Sequence, residues 1–394
     1  MRHFPFLTDE QRTRLFSVEP RELTVASPAP LVAAALGATL YSPGDRPTLV
    51  ADVQKMAARG CLSMVLCLED SISDRAVPEA EQTVVDAVVE LARLDAEKLL
   101  VDELPLLFVR VRTPEQMRSI TDRMGAAVAI LAGFVIPKFR AGEGYGQAFL
   151  DALHDIRRAA PEQAHRLRIM PILESPEMIH SETRVEALAD IATVLRENRD
   201  DVLAVRIGAT DLSSIFGLRR SRDLTIYDVK VVSSVISDVV NVLGRTDGGF
   251  VITGTVWEHF ADTERLLRPQ LRLTPFVDAS DEDLRRRLLL QNFDGLMREI
   301  SLDQANGLLG KTVIHPSHVP VVHAMSVISS EEYLDALAID ADLGGGVSAS
   351  PSRNKMNEMK PHQAWAQKTL LRAAAFGVAA QDVTYVDLLE ASMR

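Results

Sequence analysis

The sequence predicts an α/β fold, a closed (β/α)8 TIM barrel over residues 35–323, with an N-terminal extension over 1–34 and a helical C-terminal tail over 324–394. Three observations carry this. Eight short apolar, β-branched-rich runs recur along the chain, amphipathic stretches separate most of them, and the runs are followed by charged residues. Strands that are apolar throughout are buried on both faces, which requires a parallel sheet covered by helices. Eight such repeats within about 280 residues suit a sheet that closes on itself better than an open one. No self-similarity at a fixed period is visible, which excludes a solenoid.

In order, the runs are GATLY (37–41), LSMVLCL (62–68), PLLFVRV (105–111), GFVIP (133–137), RIMPIL (168–173), VLAVRI (202–207), FVITGTV (250–256) and KTVIH (311–315). Between them, RPTLVADVQKMAARG, TPEQMRSITDRMG, YGQAFLDALHDIRRAA and IYDVKVVSSVISDVVNVLG carry apolar residues at three- and four-residue spacing. Thr113 followed by Pro114 is a helix start, a capping hydroxyl and then a residue whose missing N–H is not needed. The Gly- and Ser-rich stretch DLGGGVSASPSRNK (342–355) reads as a linker. HQAWAQKTLLRAAAFGVAA (362–380) reads as an amphipathic helix that caps its own barrel or a neighbour's.

The 394 residues are 47% hydrophobic, enough for a sizeable core, and 43 basic against 55 acidic residues give a net charge of −12. That balance argues against broad nucleic-acid or anionic-membrane binding and leaves room for a local basic pocket. Two cysteines, Cys61 and Cys67, fit a reduced intracellular protein and are expected on one face of a strand or near it. MRHFPFLTDEQR at the start has no apolar core of signal-peptide length, and GAAVAILAGFVIP (125–137) falls short of a membrane span, so a cytoplasmic location is expected.

A barrel of this kind builds its site at the C-terminal ends of its strands. Those ends carry, in turn, Arg46; Glu69 and Asp70; Arg110 and Arg112; Lys138; Glu174; Asp211; Glu258; and His315. Glu174 in PILESP and Asp211 in IGATDLSS are hard oxygen donors on neighbouring strands, the donor type that holds Mg²⁺ or the similar Mn²⁺ with waters and substrate completing the shell. Arg46 and Arg110 would face an anion at that metal, and Lys138 stands beside them as a further substrate-binding cation.

These blocks resemble the citrate lyase beta-subunit (HpcH/HpaI aldolase) family of metal-dependent carbon–carbon bond lyases. YSPGDRPTLVADVQKMAARGCLSMVLCLEDSI, FVRVR, VIPK, PILESP, GATDL and IHPSHV follow the family's order from about residue 37 to residue 323. The resemblance implies Mg²⁺ at Glu174 and Asp211, an enolate oxygen held by Arg110, and Arg46, Glu69 and Asp70 in the surrounding substrate and water network. The substrate class it implies is a 2-oxo acid, a 2-hydroxy acid or an acyl-CoA-type compound. Breaking a bond next to a ketone leaves a carbanion, tolerable when its charge moves onto an oxygen held by a metal and a cation. Glu69 or Asp70 would relay the proton through a water, and the sequence does not rank the two.

The chain departs from the family in two places. VAAALGATLYSPG lacks the basic residues that in many relatives meet coenzyme A phosphates, and SPSRNKMNEM (350–359) has Asn354 where relatives often carry an aspartate, so a free acid or a modified small molecule is favoured over a thioester. The extension and tail resemble the barrel lyases of bacterial stress and tellurite-resistance gene clusters, and a homo-oligomer, a trimer or a multiple of three, is expected. Other features read more simply: AGEGYG (141–146) as a flexible loop and HPSH (315–318) as a loop after the last strand. LRRSRD (218–223) reads as a solvated loop in which Arg219 or Arg222 could hold a second anionic group of the substrate. The alternative from another class is a non-catalytic, metabolite-binding barrel that acts as a scaffold.

Overall fold

The computed structural model describes residues 1–260, 282–341 and 344–392. Eight parallel strands close a barrel in sequence order. They are β1 (Ala38–Pro43), β2 (Ser63–Cys67), β3 (Leu106–Arg110), β4 (Leu131–Ile136), β5 (Arg168–Leu173), β6 (Val205–Ile207), β7 (Ile252–Gly254) and β8 (Leu308–Val313). Closure is made by β8 against β1, through Ala38 opposite Lys311, Thr39 opposite Thr312 and Leu40 opposite Val313. All eight predicted strands are present. The sixth is shorter than its apolar run, because Val202 makes only an isolated bridge to Ile169 before the ladder resumes at Val205.

Helices form the outer layer: α1 (Ala29–Ala35) precedes β1, and α2 (Leu49–Ala58), α3 (Val77–Ala96), α4 (Pro114–Met124), α5 (Tyr145–Ala159), α6 (Arg184–Glu197), α7 (Lys230–Leu243) and α8 (Glu282–Ala305) lie between the strands. Helix α4 forms as its sequence dictates. The Thr113 hydroxyl accepts from the Gln116 N–H at 3.1 Å, Pro114 opens the first turn, and Met117, Ile120, Thr121 and Met124 make one buried stripe. In α7 the buried stripe is Val232, Val235, Ile236, Val239 and Leu243.

The barrel interior is filled by Val65, Phe108, Val135, Met170 and Ile172, continuous at its floor with Leu31, Val32 and Leu36 around α1 and with Phe376 from the tail. One cation lies in this interior. Arg206 is 1% exposed and donates to Thr39 Oγ1 at 3.3 Å and to Thr312 Oγ1 at 2.6 Å.

After β8 come α9 (His318–Ser326), α10 (Ser330–Ala341) and α11 (Met359–Phe376). Helix α11 packs on α1 and α10, so the predicted tail helix caps the floor of its own barrel. It ends at Gly377, where φ is 82° and a Cβ would sit 2.8 Å from the Val18 carbonyl oxygen. Beyond it, Val378–Ala379 pairs antiparallel with Phe16–Val18 of the extension, joining the two ends of the chain. The predicted linker is ordered differently from expectation: Val347–Ala349 and Met356–Glu358 form a hairpin, held because Lys355 reaches Glu331 at 2.9 Å and Asp335 at 2.6 Å on α10. Asp342 and Leu343 of that stretch lie outside the described residues, as do residues 393 and 394 of the tail.

Both cysteines are buried and free. Cys67 ends β2, whereas Cys61 precedes the strand, with its Sγ donating to the Ser63 carbonyl at 3.4 Å. Among the described residues no helix is long and apolar enough to cross a membrane.

Candidate active site

Five strand ends converge at the C-terminal mouth of the barrel. Arg110, the last residue of β3, points into it with its side chain 10% exposed. Its Nη2 lies 2.7 Å from Glu69 Oε2, 3.0 Å from Asp70 Oδ2 and 3.1 Å from Glu174 Oε1, so one guanidinium ties the ends of β2, β3 and β5. Lys138, just beyond β4, closes the group with Nζ 2.6 Å from Glu69 Oε1 and 3.4 Å from Asp70 Oδ1. The Lys138 backbone is held at φ 49°, a left-handed conformation that costs a β-carbon residue about 1 kcal/mol or more, and in it the Lys138 N–H donates to Glu174 Oε1 at 3.0 Å.

Asp211 arrives by a different route. After β6 the chain turns at Gly208 into the short helix Ala209–Ser214, which brings Asp211 within hydrogen-bond reach of Glu174. Gly208 has to be glycine, because a Cβ there would sit 1.9 Å from Glu174 Oε2. Nothing in the spacing of polar residues announces this close approach, and sequence reading passed over Gly208. It also passed over the anchoring role of Arg112, which donates to the carbonyls of Leu68 at 2.7 Å and Ile72 at 2.8 Å and so fixes the loop carrying Glu69 and Asp70.

The electrostatics follow from burial and crowding. Burial raises the Glu174 pKa to about 7, with the nearby Asp211 charge adding to the rise and Arg110 opposing it. Asp211 is raised by burial and then by Asp70. Glu69 is raised, chiefly by burial, despite Arg110 and Lys138. Asp70 is lowered: burial opposes this, but the hydrogen bond with Glu69 and the charges of Arg110 and Lys138 outweigh it. Lys138 is held above its ordinary value, its burial outweighed by Glu69.

Four carboxylates, Glu69, Asp70, Glu174 and Asp211, thus face two cations, Arg110 and Lys138. With all four ionised, the excess of two negative charges fits a divalent cation, and Glu174 at the end of β5, which shares Arg110, lies beside Asp211 from the turn after β6. Among the described residues no three His, Cys, Asp or Glu side chains gather at ligand spacing. A carboxylate pair of this kind matches Mg²⁺, which keeps several waters, and does not match a structural zinc site.

Four of the strand-end charges stand apart from the cluster. Arg46 is half exposed and pairs through Nε with Asp52 of α2 at 2.7 Å. Arg112 is engaged below the loop, as described. Glu258 faces Thr210, whose Oγ1 donates to it at 3.3 Å. The His315 ring stacks on Phe260 with centroids 4.4 Å apart. The basic run LRRSRD is not wholly solvated: Arg220 is buried and pairs with Glu299 of α8, a partner 79 residues away in sequence.

Comparison with curated proteins gives no match. Among solved structures, a citrate lyase from Burkholderia xenovorans LB400 superposes with a TM-score of 0.59 at 15% identity, covering 90% of this chain and 96% of that one. Mycobacterium tuberculosis CitE, in complex with magnesium, acetoacetate and coenzyme A, gives 0.51 at 21% identity over 86% of this chain and 99% of that one. Haloferax volcanii malate synthase gives 0.52 at 15% identity over 76% and 74%. These likenesses establish the shared barrel. The family model described as C-C bond lyase of the TIM-barrel fold matches residues 30–378, and the chain belongs to that family of carbon–carbon bond lyases.

Proposed function

We propose that this lyase makes and breaks a carbon–carbon bond next to the ketone of a small 2-oxo acid, by way of an enolate formed at the Arg110 cluster. The observation that supports it is the convergence of Glu174, Asp211, Glu69 and Asp70 on Arg110 and Lys138, with two negative charges in excess. Mg²⁺ held by Glu174 and Asp211 would supply charge neutralisation and polarise the carbonyl. Arg110 donates N–H groups toward the oxygen on which negative charge develops; its guanidinium is already fixed by three carboxylates and needs little reorganisation. Glu69 is the proton carrier. It is buried, burial raises its pKa above the ordinary carboxylate value, and Lys138 orients it. Asp70, half exposed and held ionised, balances Lys138 instead.

Exchange of the methyl protons of pyruvate in D2O, followed by proton NMR, tests this without the natural substrate. Exchange is expected with Mg²⁺, and is expected to vanish with EDTA and in Glu174→Ala. Absence of exchange in folded protein shown to bind Mg²⁺ refutes enolisation of a 2-oxo acid here.

A further inference from the structure

A cavity of about 330 Å³ lies against the same turn that carries Asp211. Its polar lining is Thr210, Ser213 and Ser214 from the helix Ala209–Ser214, Arg219 and Arg220 from the loop after it, and Glu258 beyond β7. The turn therefore has two working sides, one giving Asp211 to Glu174 and the other lining the cavity with hydroxyls, of which Thr210 donates to Glu258 at 3.3 Å and Ser214 to the Asp211 carbonyl at 2.7 Å, leaving Ser213 to donate to a ligand.

The two arginines differ. Arg220 is 7% exposed and committed: it pairs with Glu299, donates to the Val256 carbonyl at 2.5 Å, and has Glu258 3.8 Å from its Nε. Arg219 is exposed, lines the same space, and among the described residues forms neither an ion pair nor a hydrogen bond. A free guanidinium beside hydroxyls is a fork without its anion. Glu258 on the same wall disfavours a group that carries two charges, such as a phosphate, and Ala209, Leu218, Ile226 and Val256 give the rest of the lining to carbon.

We propose that this cavity is a carboxylate-binding subsite, with Arg219 as the recognising cation and a small, singly charged acid group as the ligand. The assignment extends the enolate reading above. The carboxylate is the far end of the 2-oxo acid or belongs to a separate small acid, and the two sources are separable by experiment.

Trp257 is the reporter. It lies between the lining residues Val256 and Glu258, with its ring 4.8 Å from Arg220 Cζ, and the chain's second tryptophan, Trp365, is in the tail. In Trp365→Phe protein, Trp257 emission is titrated with succinate in EDTA and with 2-oxoglutarate plus Mg²⁺. A saturable change is expected, with its midpoint raised at least tenfold in Arg219→Gln and largely restored in Arg219→Lys. A response to succinate without metal identifies a separate acid; a response confined to 2-oxoglutarate with Mg²⁺ identifies the far end of the substrate. No response to either, or an unchanged midpoint in Arg219→Gln, overturns the proposal. Pyruvate exchange on the same samples keeps the two readings apart. Exchange without a tryptophan response removes the subsite alone, and a response without exchange removes the enolate reading and leaves the carboxylate site standing.

Discussion

Arg110 is the residue on which the cluster depends, because one nitrogen meets three carboxylates that would otherwise repel one another. Arg110→Gln keeps a planar donor but removes the charge, and it is expected to slow pyruvate exchange by a factor of about 100 or more, the usual loss for one oxyanion donor. Mn²⁺ binding, read by electron paramagnetic resonance, is expected to persist in this variant, since removing a cation strengthens the pull on a metal. Loss of metal binding together with exchange would instead make Arg110 a purely structural residue. At this scale the sequence was informative wherever a side chain leaves a strand end directly: Glu69, Arg110, Lys138 and Glu174 all do. Arg46 could not be placed that way. It sits three residues past β1, and only the fold shows that Asp52, one turn into α2, captures it.

At the scale of elements, α8 and β8 are joined by a buried charge network. Lys311 is fully buried, with Nζ 2.9 Å from Glu299 Oε1 and 2.6 Å from Asp303 Oδ2, and Tyr227 donates to Asp303 Oδ1 at 2.8 Å. Burial pushes the Asp303 pKa to about 6, with Lys311 opposing the rise. Lys311→Met is expected to cost about 3–5 kcal/mol of stability in urea unfolding, because it strands two buried acids. A loss under 1 kcal/mol would mean that those acids find protons or water instead. The strands and outer helices were legible from their apolar spacing, which is a local signal. This network was not, because its members are scattered over the loop after β6, a helix and a strand, and singly each resembles an ordinary surface charge.

For the whole molecule, the floor of the barrel is where extension, barrel and tail meet, around two buried histidines. The His3 ring stacks on Phe376 at 4.3 Å and meets His323 edge-on at 4.5 Å, with Nε2 2.9 Å from the Ala35 carbonyl. Burial lowers the His3 pKa to about 4, the Ala35 carbonyl opposing. A folded-state value below the ordinary 6.5 gives stability that is fully present above pH 6.5 and is lost as pH falls toward 4, about 3 kcal/mol in all. His3→Phe retains the stacking and is expected to reduce the pH dependence of the urea midpoint over that interval without abolishing it, because buried His323 is also held well below its ordinary value; equal slopes in the two proteins would exclude His3 as a source. The predicted extension and tail gave no hint in sequence that they touch, since Ser17 and Val378 are 361 residues apart. That separation governs how the protein is made. On the ribosome, a barrel whose eight strands are already out still has an open floor, with Leu31, Val32 and Leu36 uncovered, until Phe376 and the strand behind it emerge. A nascent chain halted a few dozen residues early would therefore be a nearly complete barrel with a greasy base, suited to capture by a chaperone or by another unfinished copy of itself.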